Sequence, residues 1–399
     1  MKHFKYIIIG GGLAGDSAVR GIRELDKEGS IAMFSMEADP PYSRPKLSKD
    51  LWKDKPLEKI WRKTEKREVD IHLSDRITKV DPEAKTVSDQ NGEVYKYDKL
   101  LFATGASSIR LPFGGEDIIY FRNFQDYLHL RELTEKGETF LVIGGGFIGS
   151  EIAAALTMNN KKVIMVFLEN AIGERIYPKD LAYFLNDTYR EKGVEVLAGD
   201  SIESIEAEEG AYLVKTKSGQ SFKVDGVVAG IGVRANVTLA EETGLKVDNG
   251  IVVDEQLQTS HKDIYAAGDV ANFFHAQLKK HVRVEHEDNA LKSGKTAGHN
   301  MAGANEAYTH VPLFYTDLFD LGYEAVGQLD SRMETIIDWK VPYKKGVIYY
   351  LEDGIAKGLL LWNVWDAVPA ARSILAEAEK FDKKDLNLDL VMSRIEKKE

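Results

Sequence analysis

Two short stretches each hold three glycines at the spacing of a phosphate cradle. YIIIGGGLAGDSA (6–18) carries Gly10, Gly12 and Gly15, and FLVIGGGFIGSEIA (140–153) carries Gly144, Gly146 and Gly149. In Gly-x-Gly-x-x-Gly the first glycine permits a tight turn. The second lets the backbone approach a pyrophosphate, and the third lets the helix pack close to the strand. The helix start then offers free N–H groups and a positive dipole end to the phosphates. A single such turn can equally be strand-to-helix packing with no ligand. Two copies, each after an apolar run and before a small-residue helical stretch, point to two bound dinucleotides. The second strand of each unit should end in an acid for the ribose. SIAMFSME ends at Glu37 and KVIMVFLE at Glu169, each roughly 20 to 30 residues past its first glycine. In soluble enzymes such a pair usually serves electron transfer, with a nicotinamide dinucleotide delivering hydride and a flavin dinucleotide receiving it.

The elements that must position these turns read as alternating strands and helices. PPYSRPKLSKDLW (40–52) is a proline-rich stretch leading into a short helix, and KLLFATGA (99–106) is a strand running into another small-residue turn. A linker with Pro112, Gly114 and Gly115 precedes the second glycine unit, which has its own helix around 178–193 and a hairpin within 212–232. DIYAAGDVANFF (263–274) is a strand ending in Gly-Asp, and RVEHEDNALKSGKTAGHNMAG (283–303) is a turn and a helix. From Pro312 the texture changes to short aromatic strands and a charged helical tail, the mark of a further domain.

Composition narrows the chemistry. The 399 residues are 43% hydrophobic and 29% charged, as in ordinary globular proteins, and suffice for two or three domains. No apolar run is long enough for a membrane helix, and the start reads as a strand entering a turn rather than a signal peptide. A net charge of -11 disfavours nucleic acid and anionic membrane as partners. With no cysteine, the chain has no disulfide, no thiolate metal site and no dithiol relay. No residues stand at metal-ligand spacing, so no metal site is expected.

The order of the motifs carries a resemblance. The first glycine turn, PYSRPKLSK, ATGA, VIGGGFIGSE, AAGDVA and RVEHEDNA together resemble the two-dinucleotide flavin reductases that act on ferredoxin and rubredoxin, relatives of the disulfide reductases. The C-terminal half, through VEHEDNALKSGKTAGHNMAGANEAYTHVPLFYTDLFDLGYEAVGQLDS and KGVIYYLEDGIAKGLLLWNVWDAVPAARSIL, is similar to apoptosis-inducing factor and its prokaryotic relatives. The resemblance spans essentially the whole chain. It implies an α/β architecture like that of glutathione reductase, with two Rossmann-like domains and a C-terminal α+β domain. The FAD domain would comprise 1–117 and 235–308, the NAD(P)H domain 118–234 and the C-terminal domain 309–399.

The resemblance also implies site residues. FAD would be held by Gly10, Gly12, Ala14, Gly15, Glu37, Arg44, Lys49, Ala103, Thr104, Gly105, Asp269, Glu285, His286 and Tyr315. NAD would be held by Gly144, Gly146, Phe147, Ile148, Gly149, Glu151, Glu169 and Gly232. Lys49 and Glu151 would meet near flavin N5 and, with His286, form the catalytic set; a surface lysine and a solvated helix glutamate are the alternative. Arg44 would neutralise the FAD pyrophosphate, and Asp269 would accept ribityl hydroxyls or merely cap a helix. Glu285 and His286 would open the helix whose dipole supports charge arriving on the flavin. Tyr315 would cover the flavin where the family has Trp, or be a plain core aromatic, while Trp362 and Trp365 read as core and Trp61 is a lesser candidate for stacking on nicotinamide or adenine. Met36 stands where the family has its ribose acid, with Glu37 one residue late. Neither the long C-terminal insertion nor the targeting segment of the eukaryotic factor is evident, so an apoptotic, nuclear or DNA-degrading role is not expected.

The expected reaction is hydride transfer from NADH to FAD, with electrons passed on to an acceptor. Lack of cysteine excludes disulfide and sulfenate chemistry, leaving a ferredoxin- or rubredoxin-type carrier, a quinone or oxygen. Glu169 favours NADH over NADPH, although Arg175 and Lys179 stand close by in sequence. The rival reading is an NADH-responsive redox-sensing flavoprotein with slow turnover. A cytoplasmic monomer or homodimer is expected.

Overall fold

The apolar runs before the two glycine turns become central strands because every side chain in them can be buried on both faces of a parallel sheet. In Lys2–Ile9, Tyr6 to Ile9 are all buried, and Thr139–Ile143 repeats the pattern from Phe140 on. The computed structural model describes residues 1–275 and 278–395. It resolves into two compact units, 1–44 with 57–107 and 234–312, and 45–56 with 108–233 and 313–399.

The first unit is built on a seven-stranded sheet. Strands run in the order Val69–His72, Ile31–Phe34, Lys2–Ile9, Val94–Phe102, Thr86–Asp89, Ile77–Asp81, and Ile264–Ala266 also pairs with Val94–Phe102. The pairs around Lys2–Ile9 are parallel, and the Ile77–Asp89 hairpin adds antiparallel strands. The first glycine helix, Leu13–Leu25, packs on Glu287–Met301 through small residues. A Cβ on Gly294 or Gly298 would collide with the carbonyl oxygen of Ala14 or Ala18, so the helices meet at backbone distance.

In the second unit a five-stranded parallel sheet runs Val194–Ala198, Lys162–Phe167, Thr139–Ile143, Gly226–Ala229, Ile118–Ile119. The strands Ile202–Glu208, Ala211–Thr216 and Ser221–Val224 form an antiparallel meander. Residues 313–395 supply a five-stranded antiparallel sheet, ordered Leu313–Leu318, Leu321–Gly327, Ile355–Trp362, Lys345–Glu352, Glu334–Val341, with helices Val368–Ala376 and Leu388–Ile395. Its core is aromatic: Tyr323, Tyr349, Tyr350 and Trp362 are fully buried. Among the described residues, no helix is long and apolar enough to cross a membrane.

Several local expectations need correction. The stretch after the first unit forms two short 3-10 turns, Arg44–Leu47 and Asp50–Trp52, in place of an α-helix. Pro45 cannot donate to a helical ladder and confines the residue before it, which favours short turns. The long helix of the first unit starts at Glu287, with His286 as its N-cap, so Glu285 precedes it. Trp365 is 47% exposed rather than core, because it lies past the end of the strand that buries Trp362.

Candidate active site

The backbone at each glycine turn reproduces the geometry that a pyrophosphate requires. Gly10 and Gly144 have φ of 125° and 113°, a conformation that only glycine adopts at low cost. A Cβ on either would strike a neighbouring carbonyl, that of Ala103 or of Gly230. Gly12 and Gly146 are helix N-caps with ordinary extended backbone, and a Cβ on either would meet nothing within 4 Å. Gly15 and Gly149 lie against the carbonyl oxygens of Gly10 and Gly144, where a side chain cannot fit. Both turns therefore leave open space at the position where phosphate would approach, with free helix N–H groups behind it. Both fit a dinucleotide.

In the first unit Ala103 and Gly268 lie against the first turn. Ala103 N donates to Ile9 O at 2.8 Å, and Thr104 is locked to Asn236 by two hydrogen bonds, Thr104 Oγ1 to Asn236 O and Asn236 Nδ2 to Thr104 O. Gly105 has φ of 64°. Asp269 sits in a 3-10 turn after Ile264–Ala266, and a Cβ on the preceding Gly268 would lie 2.8 Å from Ala14 Cβ. Arg44 donates to Glu37 and, at 2.8 Å, to the Tyr42 hydroxyl, which itself donates to Glu37 at 2.6 Å. Burial acts to lower the Arg44 pKa, but Tyr42, Glu37 and Asp269 outweigh it and raise the pKa above its ordinary value. Met36 is exposed, whereas Glu37 is half-buried against Arg44 and Tyr42. Glu285 pairs with Arg283 at 2.5 Å, and Arg283 donates to Asp269 O at 3.1 Å. The His286 imidazole is pushed down to about 4 by burial, against the upward pull of Asp269 and Asp288. It is therefore neutral near pH 7.

The second unit holds the second turn and the lysine–glutamate pair together. Residues Pro45–Pro56, though flanked in sequence by the first unit, belong here. Trp52 fixes this strap: its Nε1 donates to Leu47 O at 2.8 Å, its ring meets Tyr127 edge-on, and its carbonyl accepts from Asn159 Nδ2 at 3.1 Å. Lys49 Nζ reaches Glu151 Oε1 at 2.7 Å, and both side chains are nine-tenths or more buried. Lys49 Nζ also stands 5.1 Å from the centroid of the Tyr315 ring. The surface lysine and the solvated glutamate are thus both excluded. Phe147 and Ile148 begin the helix Phe147–Met158, with Phe147 edge-on to Phe314 and Ile148 beside Gly230. Gly232 has φ of 104° and accepts from Ile109 N at 2.9 Å. Glu169, just past Lys162–Phe167, is paired with the exposed Arg175 at 2.7 Å. Lys179 instead lies over the Tyr183 ring.

Sequence reasoning passed over Ser48, Thr316 and Tyr42. Ser48 Oγ and Thr316 Oγ1 both donate to the Glu151 carboxylate, at 2.6 and 2.5 Å. Their only signal in the chain is a hydroxyl next to a candidate residue, Ser48 before Lys49 and Thr316 after Tyr315.

Residues 4–294 match the family described as pyridine nucleotide-disulphide oxidoreductase, and residues 297–342 and 338–377 match the C-terminal family of mitochondrion-associated apoptosis-inducing factor. The chain is 31% identical to apoptosis-inducing factor 1, mitochondrial, of Dictyostelium discoideum, over 97% of this chain and 80% of that protein. It is 33% identical to monodehydroascorbate reductase 3 of Arabidopsis thaliana, over 90% of this chain and 89% of that one. A chain of the covalent putidaredoxin reductase–putidaredoxin complex superposes with a TM-score of 0.88 at 26% identity, covering 95% of this chain and 94% of its own.

Proposed function

Because the chain belongs to the pyridine nucleotide-disulphide oxidoreductase family and is an FAD-dependent NADH oxidoreductase related to apoptosis-inducing factor, we propose that it passes its electrons to a small iron–sulfur redox protein, with Lys49 and Glu151 acting as one unit at the flavin. The putidaredoxin reductase on which this chain superposes is in a covalent complex with putidaredoxin, and this supports the acceptor class. FAD, when bound, supplies the acceptor for the nicotinamide hydride and the donor for the outgoing electrons.

The protein's own residues hold, orient and charge-balance. We assign the FAD domain to 1–117 and 235–308, less the strap 45–56 and residues 108–117 that belong to the second unit, the NADH domain to 118–234 and the C-terminal domain to 309–399. In the FAD domain Gly10, Gly12, Gly15 and Arg44 take the pyrophosphate, with Ala14 and the Ala103–Gly105 turn lining the cradle. Glu37 and Asp269 accept sugar and ribityl hydroxyls. The helix Glu287–Met301, entered through Glu285 and the neutral His286, directs its positive end at charge arriving on the flavin. Gly144, Gly146 and Gly149 take the NADH pyrophosphate, Phe147, Ile148 and Gly232 line its path, and Glu169 accepts the 2′-hydroxyl. Glu151 fixes Lys49, whose cation favours electron density delivered by the nicotinamide, and Tyr315 covers the ring system.

The doubled turn, with open space at Gly12 and Gly146 alike, carries the two-dinucleotide chemistry, and the likeness to putidaredoxin reductase carries the acceptor class. The test is NADH-dependent reduction of a purified ferredoxin, compared with a quinone and with oxygen. Turnover fastest with the iron–sulfur protein supports the proposal, and turnover only with quinone or oxygen refutes it. The C-terminal match favours a second reading, an NADH-responsive redox sensor in which turnover is slow. A reduced, NAD-bound state outlasting every acceptor tried would support it. A cytoplasmic location and a monomer or homodimer complete the proposal.

A further inference from the structure

Glu151 is a carboxylate 4% exposed, and Lys49 alone would not satisfy it. Its Oε1 accepts from Lys49 Nζ at 2.7 Å and from Thr316 Oγ1 at 2.5 Å, and its Oε2 accepts from Ser48 Oγ at 2.6 Å. The two hydroxyls come from remote parts of the chain. Ser48 is on the strap Pro45–Pro56, and Thr316 is in the strand Leu313–Leu318. We propose that Thr316 and Ser48 are positioning residues for flavin reduction, clamping the Glu151 carboxylate so that it holds Lys49 at one point. The proposal rests on the reading of Lys49 and Glu151 as the unit acting at the flavin.

The geometry explains why a carboxylate here needs a clamp. A carboxylate bonded at one oxygen can rotate about its last side-chain torsion, which is broad for sp² groups. Rotation would swing Oε1 and carry the ammonium with it. With donors on both oxygens the plane is set. Each donor is itself constrained. Thr316 is β-branched, 1% exposed and in register opposite Tyr323, so its rotamer is restricted. Ser48 lies in the strap that Trp52 anchors through its own hydrogen bonds. Successive residues of one strand thus bracket the pair, Tyr315 beneath the ammonium and Thr316 on the carboxylate. Charge placed to support a transition state acts through position, and small displacements cost large factors in rate. Sequence spacing cannot reveal this clamp, because its members are more than 100 positions apart.

The test uses the FAD-loaded protein and stopped-flow flavin reduction by NADH. Thr316→Val keeps the shape and removes the donor, and Thr316→Ser restores it. Thr316→Val should slow the limiting reduction rate about tenfold, or about 1.4 kcal/mol, with half-saturating NADH changed less than about twofold and FAD content and spectrum unchanged. Thr316→Ser should recover most of the rate. Ser48→Ala should slow reduction about threefold, and it tests the clamp independently if Thr316→Val fails to fold. In a Glu151→Ala background neither change should slow reduction further. The clamp is overturned if Glu151→Ala is slow while Thr316→Val and Ser48→Ala reduce at the wild-type rate. It is also overturned if Thr316→Ser is as slow as Thr316→Val, or if the effects add fully to Glu151→Ala. A Glu151→Ala protein that reduces at the wild-type rate overturns instead the underlying reading of the pair.

Discussion

Replacing the middle glycine of each turn by alanine should separate the two dinucleotide sites without unfolding either. Gly146 has φ of -86° and ψ of -165°, which alanine adopts freely, and its Cβ would have no neighbour within 4 Å. Two small terms then oppose each other. Alanine is a poorer helix N-cap than glycine, a loss on the order of 0.5 kcal/mol. It also restricts the unfolded chain, a gain of about 0.4–1 kcal/mol. Net stability should change by less than about 1 kcal/mol. The new methyl would instead occupy the space open to the pyrophosphate, and a tenfold to hundredfold loss of affinity is about 1.4–2.8 kcal/mol. Gly146→Ala should therefore keep its FAD and melting temperature while its half-saturating NADH in stopped-flow reduction rises tenfold or more. Gly12→Ala, with the same local geometry, should purify depleted of FAD. Gly149→Ala is the control, because its Cβ would strike the Gly144 carbonyl. Overpacking of that kind costs about 1–3 kcal/mol and should lower the melting temperature by several degrees. The reasoning is refuted if Gly146→Ala is as unstable as Gly149→Ala, or if it binds NADH as well as the wild type.

Three further outcomes follow. Lys49→Ala and Glu151→Ala should each slow flavin reduction about ten- to hundredfold, or about 1–3 kcal/mol, and the double mutant should be far less than additive in the same stopped-flow measurement. NADH should be preferred over NADPH; Glu169→Ala should raise kcat/KM for NADPH, and Arg175→Ala should lower it by removing the cation paired with Glu169. The His286 pKa lies below its unfolded value near 6.5, so its contribution to stability is complete above that pH and is lost as pH falls toward about 4. Unfolding measured between pH 4 and 7 should be less pH-dependent for His286→Gln than for the wild type.

What could be read in the chain was what repeats locally. The glycine turns and the apolar runs entering them obey short-range rules of backbone shape and strand burial, and the structure bears out that geometry. What escaped depended on distant contacts. Nothing near Ser48 or Thr316 announces that both bond one carboxylate more than 100 positions away. Trp362 and Trp365 look alike as residues, yet the strand ends between them and leaves only the first inside. Glu37 and Arg44 each stand where the family contacts FAD, but their mutual ion pair, with Tyr42 between them, is a contact that their spacing in the chain does not announce. Helix boundaries shifted by a residue or two, as at His286, because the cap depends on backbone angles that composition does not specify.

Anaerobic titration of the purified protein with NADH, followed by absorption spectroscopy, tests the central claim most directly. The account predicts a yellow protein carrying one non-covalent FAD, whose oxidised-flavin absorbance disappears as NADH is added and returns on mixing with an oxidised ferredoxin. A protein that stays colourless after incubation with FAD, or one whose flavin NADH leaves oxidised, would contradict it.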